Sequence, residues 1–147
     1  MSVGTAFYPR AATLNRKQQW REWSGFFAAS AYDDSHEIEY NAIREAAALI
    51  DVSPLYKYIV SGPDATRLVD RVITRDAQKL AVGRVYYTSW CNEDGRVVDD
   101  GTVGHLDEQT YRWTAADPSL RWFRLNARGL DVEIGRASCR ERVCNDV

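Results

Sequence analysis

Residues 87–103 read YTSWCNEDGRVVDDGTV, from Tyr87 to Val103. Two runs rich in β-branched and aromatic residues flank Asn92-Glu93-Asp94-Gly95, which is turn chemistry. The stretch therefore predicts a hairpin, with strands from Arg84 to Cys91 and from Arg96 to Leu106. Successive side chains on a strand point to opposite faces, so the neighbours Asp99 and Asp100 cannot act as a two-carboxylate pair. One faces the core or a pocket and the other faces outward. A carboxylate inside a valine-rich strand is costly unless it has a partner, which makes the pair a functional candidate. The plain alternative is that both are partly solvated near a sheet edge. With a two-residue loop closed by Asn92 and Gly95, Tyr87 stands directly across from Asp100; a bulge at Gly95 would instead set Asp100 opposite Thr88. A tyrosine ring beside a carboxylate suits a flat, nitrogen-bearing heterocycle.

Outward from this hairpin, strands and helices interleave. Leu55 to Ser61 (LYKYIVS) reads as a strand. Gly62-Pro63-Asp64 opens a helix whose apolar face is Ala65, Leu68, Val69, Val72 and Ile73. Asp34-Ser35-His36-Glu37 has the form of a capping box with Asp34 as N-cap. Ile38, Ala42, Ile43, Ala46, Ala47 and Ile50 follow it at helical spacing and predict a helix over about 36–50. Downstream, Tyr111 to Ala115 is a further strand, and Asp117-Pro118 starts a helix that ends near Gly129 as its C′ residue. Leu130 to Val132 begins one more strand. The first thirty-odd residues carry Phe7, Tyr8, Trp20, Trp23, Phe26, Phe27 and Tyr32 without a sustained period, and predict an irregular aromatic arm lying on a core. Hairpins mixed with helices predict an α+β fold, an antiparallel sheet with helices packed on one face.

The chain has 147 residues, 45% hydrophobic and 27% charged, as expected of one globular domain. Its net charge of −2 and scattered basic residues lack the electrostatic footprint of a nucleic-acid binder. No apolar run approaches the roughly 20 residues of a membrane span, and the start MSVGTAFYPR lacks the regions of a signal peptide, so a cytoplasmic protein is expected. The three cysteines, Cys91, Cys139 and Cys144, fit no disulfide or metal framework, and Cys91 reads as a strand core residue. His36 and His105 are isolated, so no metal is expected. Trp90, Trp113 and Trp122 read as core, though Trp113 could line a pocket. Periodicity stops after Val132. Reverse-translated, Glu133 to Cys144 resembles read-through of a common sequencing adapter, so 133–147 is expected to be a non-native tail outside the fold.

An ordered set of motifs resembles the aminomethyltransferase (glycine cleavage T-protein) family. Asp51-Val52-Ser53, then a short strand, then Gly62-Pro63-Asp64-Ala65 opening a helix is similar to the family's pattern. Thr74-Arg75-Asp76 looks like its Thr-x-Asp. Tyr87-Thr88, Asn92-Glu93-x-Gly95 and Val98-Asp99-Asp100 match its central hairpin at the same spacing. The matches cover about residues 34–116.

The resemblance implies a folate-binding domain over 34–132, following the arm at 1–33. It implies tetrahydrofolate as cofactor, with Asp100 at the position of the catalytic aspartate near the reactive folate nitrogens. Tyr87 then matches a folate-contacting tyrosine, and Leu55 a ligand-packing position that is often methionine. The sequence departs from the pattern in three places: Pro54-Leu55 replaces His-Met, Ala115-Ala116 stands where an asparagine binds the pterin, and Arg96 replaces a second glycine. These departures point to a paralogue with another aminomethyl or methyl donor, such as a methylated amine, a sulfonium compound or an aryl methyl ether. The expected activity is tetrahydrofolate-dependent one-carbon transfer, with a small-molecule donor or a donor-carrying protein as partner, and neither nucleic acid nor membrane. The alternative is a non-catalytic folate-binding or assembly module on the same fold. A chain that ends here would lose walls of a cavity shared between domains, so the fragment alone is expected to be catalytically poor.

Overall fold

The computed structural model describes residues 1–137. The chain divides into two compact units, Met1–Pro54 and the residues from Leu55 onward.

The first unit holds β1 (Val3–Gly4), α1 (Tyr8–Leu14), β2 (Trp20–Trp23), β3 (Phe26–Ala29) and α2 (His36–Glu45). The expected irregular arm is therefore ordered. Trp23 pairs with Phe26 across the two-residue turn Ser24-Gly25, and both turn residues have positive φ, the type I′ geometry that matches strand twist. The strands are only four residues long, too short for a period to register in the sequence. Helix α2 also differs from expectation. Its N-cap is Ser35, not Asp34: the Ser35 hydroxyl accepts from the Glu37 N–H at 3.2 Å. It stops at Glu45 rather than near residue 50. Isolated helices are marginal without packing, and α2 buries no residue: Ile38 and Ile43 are 54% and 51% exposed. α2 also belongs to the first unit, Met1–Pro54.

The second unit is the expected α+β sheet. β4 (Tyr56–Ser61), β5 (Val85–Cys91), β6 (Val97–Asp107), β7 (Thr110–Ala115) and β8 (Glu133–Arg136) form one antiparallel sheet in the order β5-β6-β7-β4-β8. Helices α3 (Ala65–Val72) and α4 (Leu120–Asn126) supply Leu68, Val69, Val72 and Phe123 to the core. The strands meet them with Tyr58, Val60, Trp90, Val103, Tyr111 and Trp113. Trp90 and Trp113 meet edge-on at 5.4 Å and Trp113 packs on Phe123 at 4.3 Å, so Trp113 is a fully buried core residue. Burial of such side chains contributes roughly 1.5–3 kcal/mol each, which makes this face the main source of stability.

Two sequence expectations shift at the C-terminal end. α4 ends at Asn126 with Ala127 as C-cap, and Gly129 takes its positive φ two residues later. The last strand starts at Glu133, not at Leu130. Residues 130–132 are held otherwise: Asp131 and Asp64 exchange hydrogen bonds, and Leu130 and Val132 pack against the core. Glu133–Arg136, set outside the fold by the sequence reading, thus pairs with β4. Strand addition uses backbone groups that any extended segment offers, and only Ile134 of β8 is half-buried. Cys139 and Cys144 lie outside the described residues.

Candidate functional site

The hairpin of β5 and β6 does not adopt either expected register. Asn92 closes the turn with its own side chain, its Oδ1 accepting from the N–H groups of Asp94 and Arg96. Cys91 then pairs with Val97, but Trp90 pairs with Asp99, so Val98 is an extra, bulged residue. Beyond the bulge Ser89 faces Asp100, Thr88 faces Gly101 and Tyr87 faces Thr102. The pairing is displaced by two residues from the simple hairpin. A two-residue shift conserves faces, so Tyr87 and Asp100 stay on the same side. They become diagonal neighbours rather than direct partners, a separation that an aromatic side chain spans. The Tyr87 hydroxyl donates to Asp100 Oδ2.

The two acids have separate employment. Asp99 points to the helix side and is buried. Its Oδ1 accepts from the Asp100 N–H at 2.8 Å. Its Oδ2 accepts from the Asp117 N–H at 3.2 Å and the Ser119 hydroxyl at 3.4 Å. Asp100, half-buried, faces away from α3 and α4.

That second face carries a polar row. Tyr87, Thr102, Thr114 and Lys57 lie side by side across β5, β6, β7 and β4. The Thr102 and Thr114 hydroxyls are hydrogen-bonded to each other. Asp100 and Ser89 form the next row. Leu55 lies just before β4, where its carbonyl accepts from Lys57 Nζ at 2.7 Å. Of the three residues singled out by sequence, Tyr87 and Asp100 meet on one face of the sheet, while Leu55 lies in the bend just before β4. Sequence reasoning missed Ser89, Thr102 and Thr114. Their alternation with Thr88, Val103 and Trp113 was the available signal. Tyr87 is 66% exposed. Its phenol pKa is raised, first by the hydrogen bond to Asp100, then by that carboxylate's charge, with desolvation and Asp99 adding less. At neutral pH it remains a donor.

Other candidates are occupied or isolated. His36 is exposed at the start of α2. His105 stacks on Tyr111 at 4.2 Å, with Nδ1 2.6 Å from the Leu80 carbonyl. Cys91 is a free, half-buried thiol at the strand end rather than a core residue. Among the described residues no three His, Cys, Asp or Glu side chains gather at metal-binding distance. No described helix is long and apolar enough to cross a membrane. The first unit contains a hollow of about 390 Å³ lined by Tyr8, Trp20, Phe27 and Tyr32 with Glu39 and Asp51. Glu39 accepts from the Tyr32 and Asp33 N–H groups, and Asp51 accepts from the Thr5 hydroxyl and Ser53 N–H, so both carboxylates already hold the local backbone.

Comparison with known proteins adds to this geometry. A family model described as the GCVT N-terminal domain matches residues 6–143. A trimethylamine-oxide aldolase of Ruegeria pomeroyi is 34% identical over 136 residues, 91% of this chain and 17% of that protein. An aminomethyltransferase of Symbiobacterium thermophilum is 52% identical over 73 residues, half of this chain and 20% of that protein. The crystal structure of glycine cleavage system aminomethyltransferase T from Bartonella henselae superposes with a TM-score of 0.81 at 19% identity, covering 93% of this chain and 38% of that one; it shows a shared fold. The chain thus spans roughly a fifth of the length of the two relatives compared by sequence.

Proposed function

We infer the function from one premise: this chain belongs to the family of the GCVT N-terminal domain. On that premise it is the folate-binding part of a tetrahydrofolate-dependent one-carbon transferase of the aminomethyltransferase type, working in the cytoplasm. The observation that carries this reading is the Tyr87–Asp100 hydrogen bond at the head of a polar row on the face turned away from the helices.

The donor set fits a reduced pterin. Asp100 is acceptor-only when ionised, and Tyr87 occupies Oδ2, leaving Oδ1 for the N–H groups of a heterocycle. Tyr87 adds an exposed aromatic face, Leu55 an apolar contact, and Ser89 a hydroxyl. Tetrahydrofolate, when bound, supplies the nitrogen that accepts the one-carbon unit. Asp100 orients that ligand and takes or returns a proton at its carboxylate, the role of a positioned general acid–base. Tyr87 keeps the carboxylate aimed, since its raised pKa leaves it protonated under working conditions.

The donor is a small molecule or a group on a carrier protein. The relative named for trimethylamine oxide favours a methylated amine among the donor classes that the departures at Leu55 and Ala116 suggest. The test uses the full-length protein with tetrahydrofolate and a panel of methylated amines, sulfonium compounds and aryl methyl ethers. Donor-dependent formation of a one-carbon folate, reduced about 100-fold or more in Asp100→Asn, is expected. Folate binding without turnover of any donor, unchanged in Asp100→Asn, would instead identify a non-catalytic folate-holding module.

A further inference from the structure

We propose that Asp99 is a positioning residue of this site: its buried carboxylate locks the β6 bulge so that Asp100 is presented to Tyr87. The geometry stands by itself, while the consequence for transfer rests on the function inferred above.

Asp99 is 8% exposed in a strand that otherwise turns Val103 toward the core. A buried carboxylate is retained only if its lone pairs are satisfied, and here no described cation pairs with it. Three dipoles do so instead: the Asp100 and Asp117 N–H groups and the Ser119 hydroxyl. The first of these explains why an acceptor is needed, and donors on both oxygens explain why it is an acid rather than an amide. The Ser89 carbonyl accepts from the Thr74 N–H, on the side of β5 away from β6. The peptide groups of the Ser89–Asp100 pair therefore turn away from each other, and those of Asp100 point toward β7. There the ladder has already ended, at Gly101 opposite Ala115. At that end of the ladder Asp99 Oδ1 supplies an acceptor for the Asp100 N–H, at 2.8 Å.

The other oxygen anchors the same carboxylate to the segment entering α4. The bulge is thus tied at both ends, to the residue that follows it and to the helix side of the sheet. Register decides function here because the side-chain period is two: if the extra residue Val98 were absorbed into regular pairing, Asp99 and Asp100 would exchange faces. Asp100 would then point into the core and Tyr87 would lose it as acceptor, with Asp99 standing in its place on that face.

The test reads Tyr87 directly, in the full-length protein labelled with 13C-tyrosine. The Tyr87 ring resonance is identified by its disappearance in Tyr87→Phe, and its displacement in Asp100→Asn marks loss of the hydrogen bond. Asp99→Asn is expected to move the resonance most of the way to the Asp100→Asn position, and the double variant is expected to match Asp100→Asn alone. In transfer, Asp99→Asn is expected to lower kcat about tenfold with tetrahydrofolate affinity nearly unchanged, as misplacement of a catalytic group does. It is expected to add nothing in the Asp100→Asn background, because residues acting as a unit are non-additive. A folded Asp99→Asn protein whose Tyr87 resonance stays at the wild-type position overturns the proposal, as does a full additive loss in the double variant. If Asp99→Asn does not fold, Ser119→Ala removes only the longest of the three contacts. A partial displacement of Tyr87 is then expected, and none would overturn the proposal. Full transfer activity in Asp100→Asn would defeat the inferred function but leave the resonance test standing.

Discussion

The Tyr87 hydroxyl donates to the Asp100 carboxylate from the diagonal position of the β5–β6 ladder, two residues out of register with its direct partner Thr102. The contact raises the Tyr87 pKa above the ordinary 10, chiefly through that hydrogen bond. A group whose folded pKa is raised contributes stability below its ordinary value and loses it as pH rises through the folded value. Spectrophotometric titration of Tyr87, isolated by difference with Tyr87→Phe, is expected to show ionisation above pH 10. Asp100→Asn is expected to bring it back toward 10. A Tyr87 midpoint indifferent to Asp100 would contradict the contact.

Gly101 follows Asp100 and lies opposite Ala115 of β7. A Cβ there would lie 1.9 Å from the Thr114 carbonyl oxygen, which belongs to backbone and cannot swing aside. Gly101→Ala is expected to cost about 1–3 kcal/mol, as overpacking does, and to disturb the Thr102–Thr114 contact in the next row. Chemical denaturation measures the first effect. An alanine variant as stable as wild type would show that the strands are farther apart.

Asp64 couples the start of α3 to the segment before β8. Its Oδ2 accepts from the Asp131 N–H at 2.9 Å, and Arg67 lies 2.7 Å from Oδ1. These contacts, the Asp131 N–H first, lower its pKa from 3.8. The resulting stability is whole above about pH 3.8 and fades as pH falls from there through the lowered folded value. Thermal melting should place Asp64→Asn below wild type at pH 7, with the gap closing below about pH 3.8. A gap that persists undiminished in acid would assign the loss to something other than charge.

Much of the second unit could be read from periodicity alone. The apolar face of α3, the four strands β4 to β7 and the tryptophan core follow from alternation and helical spacing. The opposed faces of Asp99 and Asp100 follow from the same rule. The register did not, because a bulge at Val98 is a tertiary outcome: it is held by a carboxylate whose partners, Asp117 and Ser119, lie 18 and 20 residues along the chain. The face survived the error only because the displacement was even. The hairpin at Ser24-Gly25 escaped notice because four-residue strands show too little alternation, although Ser-Gly is turn chemistry. The end of α2 was missed for a different reason. Alanine-rich spacing suggests continuation, but with no residue of α2 buried, packing does not hold the extra turn.

The central claim is that Asp100 acts on a bound folate. It is tested most directly by comparing wild type with Asp100→Asn in the full-length protein, measuring tetrahydrofolate affinity by calorimetry and one-carbon transfer at saturating folate. The account predicts that wild type binds and transfers, and that the variant still binds but loses about 100-fold or more in transfer. Transfer undiminished in Asp100→Asn, or no binding of tetrahydrofolate by the wild-type protein, would contradict it.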